Sequence, residues 1–430
     1  MDFLVSLHAM YMQLAPLVLA AMLGLLLWRY PKIAISSIFI VFLLDAAFQG
    51  QPPAVAVATA NIYPADAVSG LLLLIGTVRA LRRRINFSTL LALGLVALFL
   101  VAVLRGLTDF DFQKVVNSGR PYITLLGMLL YSITLRWDDS MLQWFLRTWV
   151  RFALATLAVG LVWFVLNLAG VATYSEYQGT FRFLGAGQAF FLASAGLVTL
   201  YLLRTSPWLR FSPWVPYILL TAVVILQHRT VWFATVAALL VWLLIERQGR
   251  GRLVTGLSIA GLIVVGLLTF AFPGQLGESL ENSATNTNTF QWRFDGWVQL
   301  LSPTRYTDIA NYAVGQPMGA GYERMLSNGA VVLDNPHNMY VQLLVDLGGL
   351  GLAVYLALLI VAFRQMARLA GKNLLFRPLQ FVLFALFVYG GAYSAPYFFG
   401  LFFGLTSYVQ FTQRTSHSIQ PQHTKVGGMS

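Results

Sequence analysis

The sequence predicts an all-α, polytopic membrane protein with 12–13 transmembrane helices and one long loop on the non-cytoplasmic side. Three observations carry this. Of 430 residues, 58% are hydrophobic and only 10% are charged, against about 25% charged in a typical soluble domain. The mean hydropathy is +0.71. Apolar runs close to the length needed to cross about 30 Å of hydrocarbon recur along the chain, for example Leu253 to Phe272 and Leu347 to Phe363. The alternating ten-residue segments of an outer-membrane barrel are absent. The first apolar stretch lacks the basic leader and small-residue cleavage site of a signal peptide.

In chain order, the expected spans are 12–28, 33–48, 64–80, 87–104, 119–135, 150–169, 186–203, 212–227, 230–246, 253–272, 338–361, 378–393 and 396–412. Lysine and arginine sort the loops between them. One side has Arg29 and Lys32, then Arg79, Arg82, Arg83 and Arg84, then Arg136, Arg147 and Arg151. It continues with Arg204, Arg210, Arg247, Arg250, Arg252, Arg364, Arg368, Lys372, Arg377, Arg414 and Lys425, which makes 20 of the 28 basic residues. That side is cytoplasmic by the positive-inside rule, and the rule accounts for the net charge of +12 without nucleic acid as a partner. An odd span count places the C-terminus inside and the N-terminus outside; one span fewer at the start places both inside. The polar tail after Gln413 is expected to be disordered. With no cysteine, disulfides and thiolate metal sites are excluded.

The loop at about 273–337 dominates the non-cytoplasmic side. Loops of this length are usually functional or disordered. Its aromatic residues and the helical spacing around Phe290–Leu301 predict an ordered cap with short helices.

Arginine on the outer side is the informative exception. Arg120 stands in Asn117-Ser118-Gly119-Arg120-Pro121, Arg182 in Gly179-Thr180-Phe181-Arg182, and Arg229 in a short turn, Gln227-His228-Arg229-Thr230. Arg293 stands in Gln291-Trp292-Arg293-Phe294-Asp295-Gly296-Trp297. Four separate elements thus carry a guanidinium to one membrane face, and guanidinium groups bind phosphate bidentately and stay charged. Such a cluster suits a pyrophosphate on a lipid carrier. The alternative is that each arginine snorkels to headgroups or pairs with a local acid, which is the reading adopted for Arg105, Arg305 and Arg324.

A second constellation is Asp334-Asn335-Pro336-His337-Asn338, which runs directly into an apolar helix with Gly348, Gly349 and Gly351 in its body. His337 is expected near a helix N-terminus, whose dipole would keep the ring neutral. A neutral imidazole can act as a general base near pH 7; a structural or capping role is the alternative. Gly315-Gln316-Pro317-Met318-Gly319-Ala320-Gly321 is either a loop that approaches a ligand with its backbone or a turn. Asp295, Glu176 and Asp334 are candidates for acid, base or orienting partner. No metal-binding motif and no nucleotide loop is visible, so neither a metal nor another cofactor is expected.

Taken together, Arg229 before an apolar helix, Trp292, Arg293 and Trp297 opening the long loop, Gly319 and Gly321 within it, and Pro336-His337-Asn338 at its end resemble the O-antigen ligase and O-antigen polymerase superfamily. The Arg182 segment is similar as well. The specific likeness covers 180–361, which is expected as the core, with membrane helices in 1–179 and 362–412 and a cytoplasmic tail at 413–430. The resemblance implies a GT-C-like, metal-independent glycosyltransferase of the bacterial inner membrane whose active site faces the periplasm. Its donor would be an undecaprenyl-pyrophosphate-linked glycan and its acceptor a glycan or lipid A core; polysaccharide assembly and export proteins are possible partners. Carried over, His337 is the catalytic base, Arg229, Arg182, Arg293 and Arg120 hold the pyrophosphate, and Asn338, Asp295, Gly319 and Gly321 support them. Polymerisation of a surface or exopolysaccharide is the expectation, with ligation to lipid A core as the alternative. A transporter of lipid-linked oligosaccharide and a scaffold are the competing classes.

Overall fold

The computed structural model describes residues 18–57, 59–83, 85–171, 182–205, 211–245, 288–303, 308–325, 329, 331–394 and 398–405. It shows an all-α membrane protein with two minimal hairpins. The expected span 253–272, most of 396–412 and the tail lie outside the described residues.

Helix α1 (Val18–Arg29) meets α2 (Pro31–Ala47) at an angle of 117°. Pro31 at the first position of α2 removes a donor and pushes Tyr30 out of the helical region, to φ −119°. The expected spans 12–28 and 33–48 thus join at a sharp corner. A short hairpin, β1 (Val55–Val57) and β2 (Ala60–Ile62), leads into α3 (Pro64–Leu81), α4 (Phe87–Asp109), α5 (Phe112–Ile133) and α6 (Asp139–Leu168). After a gap follow α7 (Ala186–Thr205), α8 (Val215–Ile225) and α9 (Arg229–Ile245). Among the described residues, α3, α4, α6, α7 and α12 (Met339–Ala370) are each long and apolar enough to cross a membrane, and α1 with α2 passes the same test as a bent pair.

Lipid offers helices no hydrophobic reason to associate, so close contact depends on small residues. A Cβ on Gly76 would come within 2.6 Å of the Tyr131 backbone, and one on Gly127 within 2.4 Å of Ser69; both glycines hold α3 against α5. Around Trp149 the centre is aromatic: Phe145, Phe191, Phe398 and Phe402 all lie within 6.2 Å of it by ring centroid.

Helix α8 differs from the expected crossing at 212–227. It has 11 residues, a rise of about 16 Å. The following turn is buried in protein, with Gln227 at 0% and His228 at 5% exposure. Irregular backbone buried in protein requires internal partners. Here Gln227 N donates to Val224 O, Trp232 N to His228 O, and the Trp232 indole to Val223 O.

The long loop supplies α10 (Asn288–Leu300), α11 (Ile309–Val314) and the hairpin β3 (Arg324–Met325) and β4 (Val331–Val332), which fits the expected cap with short helices. It then enters α12, which is followed by α13 (Arg377–Gly390) and a helix, α14, described over 399–405. Helix α12 is not the continuous helix its hydropathy suggests. Gly348 sits inside it at φ 68° and ψ −172°, a conformation that only glycine adopts readily. Helix α11 fills the notch: a Cβ on Gly348 would lie 2.3 Å from Ala313 O. The break leaves the Val345 carbonyl without its normal helical partner, and Gln316 N takes it at 2.8 Å. Next to the break, Asp346 accepts from Tyr122 of α5 at 2.8 Å and from Tyr322 of the loop at 2.5 Å.

Candidate active site

His337 occupies the last turn of loop before α12. Asn338 caps that helix, accepting from Tyr340 N and Val341 N, the usual role of Asn at this position. The His337 backbone is held at φ 48°, a strained value for a residue with a side chain, of the kind that collects at functional sites. Both tryptophans of the α10 motif fix this segment. The Trp297 indole donates to Pro336 O at 2.6 Å, and Trp292 meets the His337 ring edge-on at 6.0 Å. Tyr393, just beyond α13, flanks the ring on another side at 6.1 Å.

Burial is the main cause that lowers the His337 pKa from 6.5 to about 4; Arg293 and Arg324 push it further down and Asp334 opposes them. The ring is therefore neutral at pH 7. The sequence pointed to a neutral ring through a helix dipole, whereas desolvation and two guanidinium groups account for it here.

Three of the four expected arginines converge on the same place. Arg182 precedes α7, Arg229 opens α9, and Arg293 lies on the first turns of α10 with its guanidinium 5.1 Å from the Tyr393 ring and a long bond to Ala392 O. With His337, His228, Asp334 and Trp292 they line a cavity of about 440 Å³. The meeting of Arg182 and Arg229 has a local cause. The His228 ring donates from Nε2 to Leu184 O at 2.9 Å and so ties the turn before α9 to the strand of chain that carries Arg182. Gln227, at φ 56°, bends the backbone to make that contact. Burial, with Arg182 nearby, lowers the His228 pKa to about 4.

Arg120 lies elsewhere. It pairs with Asp66 at 2.9 Å, donates to Asn61 O, and covers the Tyr63 ring. It lines a separate cavity of about 160 Å³. Of the residues expected to support the site, Asn338 acts as the helix cap, and Asp295 sits half-buried on α10 outside the cavity lining. Gly319 and Gly321 also lie outside it. A Cβ on Gly319 would meet the Phe110 ring at 3.3 Å, and Met318 N donates to Ala102 O, so that run docks the loop on α4. Glu176 and Arg305 lie outside the described residues.

Arg324 and Arg105 do not snorkel. Arg324 is 4% exposed and donates from one nitrogen to both Tyr322 O and Asp334 O. It passes beside Gly296, where a Cβ would lie 2.5 Å from its Nε, and reaches the Trp292 ring. It thereby braces the segment that leads into His337. Arg105 donates to Gly315 O at 2.8 Å and to Asn311 at 2.6 Å, which holds α11 in its notch. Apart from its glycine neighbour, nothing in the sequence around Arg324 separates it from an ordinary loop arginine.

Residues 214–356 match the family model of O-antigen ligase. No curated protein matches the chain. The matched region runs from the start of α8 through the broken part of α12 and includes Arg229, Arg293 and His337; Arg182 lies before it. Over this region the resemblance to the O-antigen ligase and polymerase superfamily is borne out as a similarity, in a chain with several helices long and apolar enough to cross a membrane.

Proposed function

We propose that the larger cavity binds the diphosphate of an undecaprenyl-diphosphate-linked glycan at the periplasmic face of the inner membrane. There the glycan would be transferred to a hydroxyl of an acceptor glycan. The observation that carries this reading is the convergence of Arg182, Arg229 and Arg293 with a neutral His337 around one space. Guanidinium groups bind diphosphate bidentately and stabilise the charge that develops as it leaves, a task that then needs no metal.

In this mechanism His337 accepts the proton of the acceptor hydroxyl while its oxygen attacks the anomeric carbon. The bond between that carbon and the diphosphate oxygen breaks, and undecaprenyl diphosphate departs with the electron pair. A ring with a pKa of about 4 is a weak base in the empty site. Diphosphate bound to Arg293 offsets one of the charges that depress the ring, so donor binding raises the His337 pKa toward the range where a base is effective.

The products are polymerised repeat units of a surface or exopolysaccharide. Purified protein given a carrier-linked repeat oligosaccharide should yield longer glycan without added nucleotide and in the presence of a chelator. Full transfer by His337→Ala sinks this mechanism. In a deletion strain, loss of long polymer with single repeats retained supports polymerisation, whereas accumulation of carrier-linked polymer identifies a ligase.

A further inference from the structure

The smaller cavity has different chemistry. Arg120 is its guanidinium, and Asp66 accepts from that group at 2.9 Å. A second carboxylate, Asp45, lines the cavity from the end of α2, and one of its oxygens accepts from Gln188 at 2.7 Å. Among the described residues, one guanidinium already paired with Asp66 and one carboxylate line this cavity, whereas the larger cavity places three guanidinium groups against Asp334 alone. A diphosphate is poorly served by the first balance and well served by the second. Carboxylate oxygens with a half-buried aromatic ring instead suit neutral, hydroxyl-rich ligands, because each sugar hydroxyl donates one hydrogen bond and each carboxylate oxygen accepts two.

The start of α7 contributes to both cavities. Ala186, its first residue, lines the larger one. Gln188, two residues on, orients the Asp45 carboxylate in the smaller one, a rise of about 3 Å along the helix. Backbone strain marks the rim here as well: Gln49 is at φ 50°, beside Gly50 in the cavity wall.

We infer that the cavity formed by Asp45, Tyr63 and Arg120 is the acceptor subsite, which binds a neutral sugar of the acceptor glycan through its hydroxyl groups. This rests on the glycan-transfer reading of the larger cavity. Asp45 and Tyr63 make the hydrogen bonds and the ring contact, and Arg120, neutralised by Asp66, shapes the wall rather than binding phosphate.

The test uses the full chain in lipid nanodiscs and two separate probes. One is the repeat-unit oligosaccharide released by mild acid from the carrier-linked fraction of the producing cells. The other is undecaprenyl diphosphate alone. Asp45→Asn keeps an oxygen for Gln188, so the fold is retained; Ala65→Trp fills the cavity by bulk. Both should weaken oligosaccharide binding at least tenfold and leave undecaprenyl diphosphate binding unchanged, and Arg229→Ala should do the reverse. Oligosaccharide binding that is absent in the unsubstituted chain, survives both changes, or is lost in Arg229→Ala overturns the inference. The oligosaccharide arm needs no turnover, so transfer that persists in His337→Ala counts against the transfer mechanism and is read separately.

Discussion

The imidazole of His228 donates to the carbonyl of Leu184 across 44 residues of sequence, at 2.9 Å, and this contact joins the two arginine-bearing turns of the larger cavity. Its Nδ1 is buried without a hydrogen-bond partner, so the side chain is held at one end only. His228→Phe keeps an aromatic ring at the position and removes the donor. The unsatisfied Leu184 carbonyl should cost about 1–3 kcal/mol. Undecaprenyl diphosphate binding should weaken with stability, because Arg182 loses its anchor. Thermal unfolding in detergent and a binding titration check this; unchanged binding with a lowered Tm assigns His228 to folding alone.

Arg229 and Arg293 should not be replaceable by lysine. A lysine keeps the charge but loses the planar fork that binds two oxygens at once. Removal of one donor to a developing anion typically costs on the order of 100- to 1,000-fold in rate. Transfer by Arg229→Lys and Arg293→Lys should fall into that range, and Arg120→Lys should fall far less. Equal losses at all three positions contradict the separation of the two cavities.

Acid should destabilise the protein through His228 and His337. Both are held at about 4 in the folded protein against 6.5 when exposed. Between those values the unfolded chain binds more protons, so stability rises with pH in that window. It is fully present above pH 6.5 and is lost as pH falls through 4. The Tm should therefore decline from pH 6.5 to pH 4, and less steeply in His228→Phe. A parallel decline in the variant removes His228 from the account.

The arginines of the larger cavity were legible because positive-inside sorting explains most basic residues and leaves a few unexplained. His337 was legible from its place between a proline and a helix start. Arg120 was another arginine on the outer side, yet it meets Asp66, a partner 54 residues away on α3. That partner is fixed by helix packing, which no local pattern encodes. Arg324 was hidden for a similar reason: its burial depends on the absence of a side chain at Gly296, 28 residues earlier. The all-helical fold was plain from hydropathy, which also separated the spans on either side of Tyr30, but hydropathy averages over single residues, so it smoothed over the break at Gly348.

Gly348→Ala tests the break directly. The new methyl group would lie 2.3 Å from Ala313 O, and the positive-φ, extended backbone, essentially confined to glycine, adds about 1–3 kcal/mol. Either α11 leaves its notch or the chain fails to fold. Folded yield should fall sharply, and whatever folds should show faster proteolysis within 301–325. An alanine variant with normal yield and protease resistance contradicts the packing of α11 at the break.

The notch in α12 has a consequence for protein engineering and for the evolution of such chains. Because α11 is seated within a membrane helix, with Gln316 completing that helix's own hydrogen bonds, the long loop is not an appendage that can be exchanged at its ends. A graft of residues 288–338 alone between relatives would import a wedge without its socket. The transferable unit is the loop together with α12 and the end of α4 that carries Arg105, and chimeras cut at those boundaries are the ones expected to assemble.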